Sequence, residues 1–560
     1  MSSLSSPDGW LARNLRCLAL SNPGLAERLC EPVAGDHVEV LAAKTGIATA
    51  RFNRIPELWI QAPDDPRGDA EKTVAAWESP DDGPVLCLGV GLGYELKSLL
   101  DRLPSERRMI GYERDPWLLR QAFRCHDFSK NILSARLSFL LGTDLADAPI
   151  SVPLSLFRHP VLGSLYQSEN DYLDHRVGEK TSRRAMVVSG GLFVQDVEDA
   201  LKHSGFSILT WDPRRVSRKE SVHQLKRFGP ELVFAVNYLA GLPELCRELG
   251  IPCVIWEIDP CIERLPVGSN QHDLTMIYTY RKGHVSRYRL AGFSHVEYLP
   301  LAANPKRRYP MLPNADQVSR YGATISFVGN SMRDQAKALK KVFAEVCRHN
   351  SISDPDQHWD QALGAQQMDL DRDVVRSALA RTLSRGNSIL ADGNGRLVDV
   401  AACAAETAAS DRRIQLIAAL ATHGFGISVW GDPGWEEGCS AADYRGWAGH
   451  DRELTAIYNA SVINLDINRL YQSDIATMRV FDVLACKGFL LADCSSAVQD
   501  LFEVGAELVV YRSTKELLRL VEYYLKHEKE RDQIAEAGHL RVLRNHTIEQ
   551  RIAWVLAELG

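Results

Sequence analysis

Apolar residues along this chain fall into short continuous runs, each followed by a glycine-containing turn and then by a stretch with helical spacing. PVLCLGVGLGYELKSLL (84–100) is the first clear case. RRMIGYERDPWLLRQAF (107–123) repeats strand, turn and helix, and RLSFLLG (136–142) predicts a third strand. Runs without alternation predict strands covered on both faces, and strands alternating with helices predict a parallel sheet. A second series opens at RAMVVSGGLFVQDVEDALKHSGFSILTW (184–211) and continues through ELVFAVN (231–237), PCVIWEID (252–259), LTMIYT (274–279) and VEYLPLA (296–302). A third opens at ATISFVGNSMRDQAKALKKVF (323–343) and passes a largely helical region over about 350–423. It resumes with GISVWGD (426–432), SVINLDI (461–467), GFLLAD (488–493) and ELVVYRS (507–513). The repeated unit is the βα pair itself, with no heptad array and no short-period repeat.

These series divide the chain. Residues 1–83 predict a mixed α/β lead-in ending in the polar ESPDDGP. Residues 84–183 predict a Rossmann-like domain with a linker, and 184–303 a second. NPKRRYPMLPNADQVSRYG (304–322), rich in proline and charge, predicts a connection. Residues 323–513 predict a third Rossmann-like domain with the helical insertion, and 514–560 predict terminal helices. The expected class is α/β, with tandem Rossmann-like domains preceded by an additional one.

Composition changes this picture little. A chain that is 45% hydrophobic and 24% charged is not a long disordered one. A formal charge of −7 removes any general electrostatic reason to bind nucleic acid. The twelve cysteines form no C-x-x-C pair, which predicts reduced buried thiols and a cytoplasmic setting. The stretch MSSLSSPDGWLARNLRCLAL lacks the uninterrupted apolar core of a leader, and no run approaches the roughly 20 residues of a membrane span. The expectation is a bacterial-type cytoplasmic protein without an integral membrane segment.

Candidate chemistry begins at LGVGLGYE. Gly89, Gly91 and Gly93 follow a strand and precede a helix, so the backbone there can approach a ligand closely. Glu113 ends the next strand, where an acid holds ribose hydroxyls in dinucleotide-binding folds. The motif resembles that of S-adenosylmethionine-dependent methyltransferases, which makes S-adenosylmethionine a second candidate ligand. The same glycines also serve as plain turn punctuation, and no Asn-Pro-Pro-Tyr-type signature follows.

The later series are more informative. Two Rossmann-like domains in tandem make a crevice at their strand ends, the place where α/β proteins take ligands. That suggests a GT-B glycosyltransferase architecture. The run from YNASVINLDINRLYQSDIATMRVFDVLACKGFLLADCSSAVQDLF through VLRNHT (458–547) resembles the CgeB family, spore-maturation-protein-like glycosyltransferases. SFVGN (326–330) and WGDPGW (430–435) fit the same family's nucleotide-sugar domain, and LKRFGPELVFAVNYLAGLPELCRELGIPCVIWEIDP (225–260) its acceptor domain. The resemblance covers about 185–560. The part before 150 resembles motility-accessory-factor-type proteins.

The resemblance implies a donor site around YQSDIATMRVFDVLACKGFLLAD (471–493). Asp474 and Asp482 carry the Glu-x7-Glu spacing of many retaining GT-B enzymes, with aspartate at both places. It implies that Asp482 binds ribose, that Arg479 faces the diphosphate and that Asp474 lies near the sugar. Read without it, Asp474 is a helix-start acid, and Arg479 with Asp482 a solvated pair. Gly329, Asn330 and Arg333 are further candidates for the diphosphate. Trp430 with Gly431 either stacks on a base or sits in the core. Asn464 and Asn468 either line the donor pocket or serve strand and turn. On the acceptor side, Gly190 and Gly191 face the cleft of the implied fold. Asp259 is placed as a general base, which an inverting transfer requires, or as a turn-forming acid before proline. His272 is a weaker candidate, more simply a surface or capping histidine. MDLDRD (368–373) contains Asp-x-Asp but reads as a helix-start acid cluster, so no metal is expected.

The expected function is a metal-independent glycosyltransferase requiring no cofactor. It would move a sugar from a nucleotide-sugar, UDP-linked being one candidate, to a protein or surface-glycan acceptor such as flagellin. The alternatives are a methyltransferase acting through Gly89–Gly93 and a non-catalytic binding protein on the same fold.

Overall fold

The computed structural model describes residues 7–53, 57–79, 82–147, 154–176, 183–259, 273–369, 372–383, 388–395, 397–450 and 452–559. The chain divides into two compact units, residues 1–236 with 241–254, and residues 237–240 with 255–560. The stretch 184–303 contributes to both.

The first unit begins with helices Pro7–Ser21 and Pro23–Cys30. A small antiparallel sheet follows, of β1 (Val38–Ala42), β2 (Ala48–Phe52) and β3 (Leu58–Trp59). Next come β4 (Val85–Leu88), β5 (Met109–Glu113), β6 (Leu137–Leu141) and β7 (Ser155–Arg158), parallel and in the order β6-β5-β4-β7. Along β4, Val85 and Cys87 join a core with Met109, Leu137 and Phe139, while Leu86 and Leu88 join another with Ile110 and Tyr112. A sheet buried on both faces needs apolar residues at every position, so the strand runs lack alternation. β8 (Arg183–Val188), β9 (Phe206–Trp211) and β10 (Leu232–Val236) are parallel in the order β10-β8-β9.

The second unit starts within β11 (Cys253–Glu257) and continues through β12 (Thr275–Thr279) and β13 (His295–Tyr298), in the order β13-β12-β11. Its main sheet contains β14 (Ala323–Val328), β17 (Ile427–Trp430), β18 (Asp443–Tyr444), β19 (Ser461–Leu465), β20 (Leu490–Asp493) and β21 (Val509–Tyr511). They are parallel and ordered β18-β17-β14-β19-β20-β21. The helical insertion carries a two-stranded hairpin, β15 (Ile389–Ala391) with β16 (Leu397–Asp399). Its core of Phe343, Trp359, Leu379 and Val400 is separate from the sheet core of Ile325, Phe327, Ile427 and Leu465. The architecture is therefore α/β with Rossmann-like parallel sheets, one of them additional and near the N-terminus. Among the described residues no helix is long and apolar enough to cross a membrane.

Candidate functional site

In the main sheet of the second unit the chain winds from β14 to β17 and β18 on one side, then crosses to β19, β20 and β21 on the other. The winding reverses between β14 and β19. In open parallel sheets the crevice outside the strand ends at such a reversal is where ligands bind.

Two arginines occupy this point. Arg479, near the start of helix Met478–Ala485, donates to the carbonyl of Val328 from Nε at 2.9 Å and from Nη2 at 2.5 Å. Its guanidinium lies 4.7 Å from the ring centroid of Phe327, and Nη1 pairs with Asp466. Asp466 is fully buried just beyond β19, and Thr477 Oγ1 donates to it at 2.8 Å. A Cβ on Gly329 would come within 2.8 Å of Arg479 Nη2, so this arginine can reach the β14 end because residue 329 is glycine. A Cβ on Gly431 would meet the Gly329 carbonyl at 2.3 Å, which fixes glycine where the β17 and β14 turns touch.

Arg413 comes from the other side, from helix Val400–Thr422. Its Nη1 donates to the carbonyl of Asn330 at 2.6 Å, and Nη2 lies 3.5 Å from that of Ile467. Among the described residues it has no carboxylate ion-pair partner, and its Nε has no hydrogen-bond partner. Burial, with Arg469 and Arg479 as positive neighbours, pulls its pKa down to about 9. It stays charged at neutral pH, and a buried cation left this way is unfavourable until an anion joins it. The adjacent Arg412 is the contrast, bound to Asp493 at 2.5 Å. Arg469 lies 3.3 Å from Glu406, which also accepts from the Tyr471 hydroxyl. Arg333 starts helix Arg333–His349, and among the described residues its buried Nε has no hydrogen-bond partner. The first amides of that turn, Ser331 and Met332, are held by Asp432 at 3.1 and 3.3 Å.

The other expected residues fall differently. Asp474 is bound by Arg281, with Nη2 at 2.6 Å and Nε at 3.0 Å. Asp482, expected at a ribose, is instead buried against Arg308 of the 304–322 segment at 3.0 Å. The same arginine donates to the His450 carbonyl at 2.5 Å, so the pair ties that segment to the sheet domain. Trp430 is 2% exposed and offers no stacking face, and Arg445 covers it at 5.5 Å. Asn464 is committed within the sheet, accepting from Ser326 Oγ at 2.7 Å and donating to Tyr458 O at 3.2 Å. Asn468 donates to Ile475 O at 3.4 Å, and among the described residues its buried Oδ1 has no hydrogen-bond partner. Asp259 is exposed just past β11, and its amide donates to Asn237 Oδ1 at 3.0 Å. His272 lies outside the described residues. In MDLDRD, Asp373 Oδ1 accepts from the Val375 amide at 3.3 Å at the start of a helix.

The N-terminal glycine turn is closed on itself. Glu113 accepts from the amides of Val90 and Gly91 at 3.0 Å each, from Arg114 N at 2.9 Å and Asp115 N at 3.1 Å, and from the Tyr166 hydroxyl. Burial pushes its carboxyl up to about 7. A Cβ on Gly89 would meet Leu162 at 2.6 Å, one on Gly91 Gln61 at 3.1 Å, and one on Gly93 His126 at 3.0 Å, so the protein itself fills the space a ligand would take. Gly190 has φ +91° and Gly191 φ +113°, and Arg214 Nη2 would lie 2.6 Å from a Cβ on Gly190. Gly190 lines a cavity of about 350 Å³ in the first unit. The charged groups there are paired, Arg114 with Glu169 and Arg215 with Asp212.

Sequence reasoning missed Arg413, Asp466, Arg469, Glu406 and Arg281. It also missed a buried pair, Glu257 at the end of β11 and His284 in the helix after β12. Two signals were present: SDRR interrupts an otherwise alanine-rich helix, and Asp466 stands between the two asparagines singled out in INLDIN.

Residues 412–557 match the model of a family described as glycosyl transferase-like. That span holds Arg413, Asp466, Arg469 and Arg479. No curated protein matches the chain. Among solved structures, a sucrose-phosphate synthase from Thermosynechococcus elongatus is 12% identical, covering 67% of this chain and 98% of its own, with a TM-score of 0.40. Anabaena Alr3699/HepE in complex with UDP and glucose is 8% identical, covering 68% and 99%, with a TM-score of 0.41. The MAf glycosyltransferase from Magnetospirillum magneticum AMB-1 is 12% identical, covering 72% and 91%, with a TM-score of 0.24. All three scores are below 0.5, so the functional reading rests on this chain's own residues.

Proposed function

We propose that the chain is a metal-independent glycosyltransferase of GT-B type that moves a sugar from a nucleotide-sugar to a protein or surface-glycan acceptor. The observation that carries this reading is Arg413, a buried guanidinium without a carboxylate partner among the described residues, held at the winding reversal beside Arg479. A nucleotide diphosphate supplies the missing negative charge. The two arginines then neutralise the charge that develops on the diphosphate as the sugar departs, the electrostatic contribution a metal makes elsewhere. The family match over 412–557 supports the same activity. Arg333 and the Gly329 turn border the phosphates. Asp474, tied to Arg281, orders the turn leading to Arg479, and Asp482 anchors the 304–322 segment rather than the ribose. The cavity beside Gly190 is assigned to acceptor recognition.

The test is thermal stabilisation across UDP, GDP, their sugars and S-adenosylmethionine. A ligand at 100 times its dissociation constant adds roughly 2.7 kcal/mol. A shift with a nucleotide or its sugar is expected in the wild type and its loss, at least 100-fold in affinity, in Arg413→Met. Normal nucleotide binding by Arg413→Met refutes the donor site. A shift with S-adenosylmethionine alone moves the function to the N-terminal sheet.

A further inference from the structure

The donor reading supplies a leaving group but no acceptor for the proton that an attacking hydroxyl must lose. Asp259 was the sequence's candidate. The second unit holds another arrangement. Glu257 is the last residue of β11 and 1% exposed. Its carboxylate accepts from the Thr279 hydroxyl at the end of β12, and it lies 3.0 and 3.1 Å from His284 Nδ1. His284 stands in the first turn of helix Lys282–Leu290. A carboxylate on Nδ1 fixes the ring's orientation and leaves Nε2 as the basic nitrogen of the neutral form. Among the described residues Nε2 has no hydrogen-bond partner.

This pair joins the arginine site through adjacent residues. Gln472 donates to the Tyr280 hydroxyl at 3.4 Å, and Arg281 donates to the Tyr471 carbonyl at 3.3 Å and to Asp474. Tyr471 in turn donates to Glu406, the partner of Arg469. The segment 279–284 and the segment 469–474 therefore hold each other, one bearing the histidine and the other bearing Arg469 and leading on to the helix of Arg479.

We infer that His284 is the catalytic base of the transfer and Glu257 its positioning residue. The inference rests on the glycosyltransferase reading. In the step, His284 Nε2 takes the proton of the acceptor hydroxyl. The hydroxyl oxygen bonds to the anomeric carbon as that carbon's bond to the diphosphate oxygen breaks, and the electron pair leaves on the diphosphate beside Arg413 and Arg479. The nucleoside diphosphate departs, and the imidazolium returns its proton to solvent.

The experiment follows release of UDP from UDP-glucose and of GDP from GDP-mannose with water as acceptor, alongside thermal stabilisation by the same compounds. His284→Gln is expected to lower kcat by roughly 100-fold or more, the usual worth of a positioned base, with donor KM and stabilisation unchanged. Glu257→Gln is expected to lower kcat less. Glu257→Asp, which keeps a carboxylate, is expected to retain more of kcat than Glu257→Gln, with donor KM unchanged in both. Folding is checked by the melting temperature of each unliganded variant. Full turnover in His284→Gln with normal stabilisation overturns the base alone. Loss of turnover in Asp259→Asn with His284→Gln unaffected reassigns the base to Asp259. Absence of stabilisation by either compound in the wild type overturns the donor site, and the base with it.

Discussion

The N-terminal sheet and the main sheet of the second unit place the same device, strand–glycine turn–helix, at a strand end, and they fill it with opposite charges. In the first, Glu113 reaches back into the turn and takes the amides that a ligand's phosphate or ribose would use. Leu162, Gln61 and His126 pack against the three glycines. In the second, Gly329 lets Arg479 in, and Arg479 and Arg413 bind turn carbonyls at Val328 and Asn330. One arginine is neutralised by Asp466 and the other is left with its charge. A glycine-rich turn is therefore a permission for close approach. Whether a ligand or the protein's own side chain uses it is decided by which charge arrives and whether that charge already has a partner.

Breaking each arrangement separates the two cases. The largest stability loss is expected from Arg479→Met, which strands the fully buried Asp466 and should cost about 3–5 kcal/mol in urea unfolding along with donor binding. Arg413→Met removes a cation that has no carboxylate partner among the described residues, so unliganded stability should stay within about 1 kcal/mol or rise, while nucleotide stabilisation disappears. A loss of several kcal/mol there would show that Arg413 is an ordinary structural arginine. Glu113→Gln puts an amide donor against the turn's own donors. It should cost about 2 kcal/mol and leave nucleotide stabilisation intact. If Glu113→Gln abolished ligand binding instead, the closed turn would be the functional one.

The sheets were largely legible because strands buried on both faces announce themselves as apolar runs. The strand expected at the start of 323–343 is β14, and the C-terminal ends of β12 and β20 fell where expected. β7 went unseen because it is only four residues long, between Pro153 and Pro160 in the sequence, and β15 and β16 are three residues each within a helical region. The site was half legible. Arg479 was found beside its helix start, whereas Arg413 meets its partner carbonyl 83 residues away, a pairing no local pattern encodes. Asp482 was placed at the ribose by the family resemblance, whose paired-acid spacing it shares. Spacing fixes a helical face but not the residue that meets it, here Arg308, 174 positions away.

The smallest effect concerns acid. His126 packs beneath the N-terminal turn, edge-on to Tyr94 at 4.8 Å, and its Cδ2 would lie 3.0 Å from a Cβ on Gly93. His546 packs on Phe481, in the helix that carries Arg479, at 5.7 Å, and Arg551 donates to its Nδ1 at 2.8 Å. Burial lowers both pKa values from 6.5 to about 4, aided by Lys97 at the first and Arg551 at the second. The folded state thus holds each ring neutral where the unfolded chain binds a proton. Their stabilisation is fully present above about pH 6.5 and is lost as pH falls toward about 4. At about pH 5.5 each should contribute a loss of roughly 1.4 kcal/mol relative to neutral pH. His126→Phe should flatten the acid limb of the first unit's unfolding and His546→Phe that of the second, read by hydrogen exchange of amides in β4 and in β20. An acid limb that survives both substitutions would place the proton uptake elsewhere. One that disappears only locally would show that the two glycine turns, alike in pattern and opposite in charge, also loosen independently.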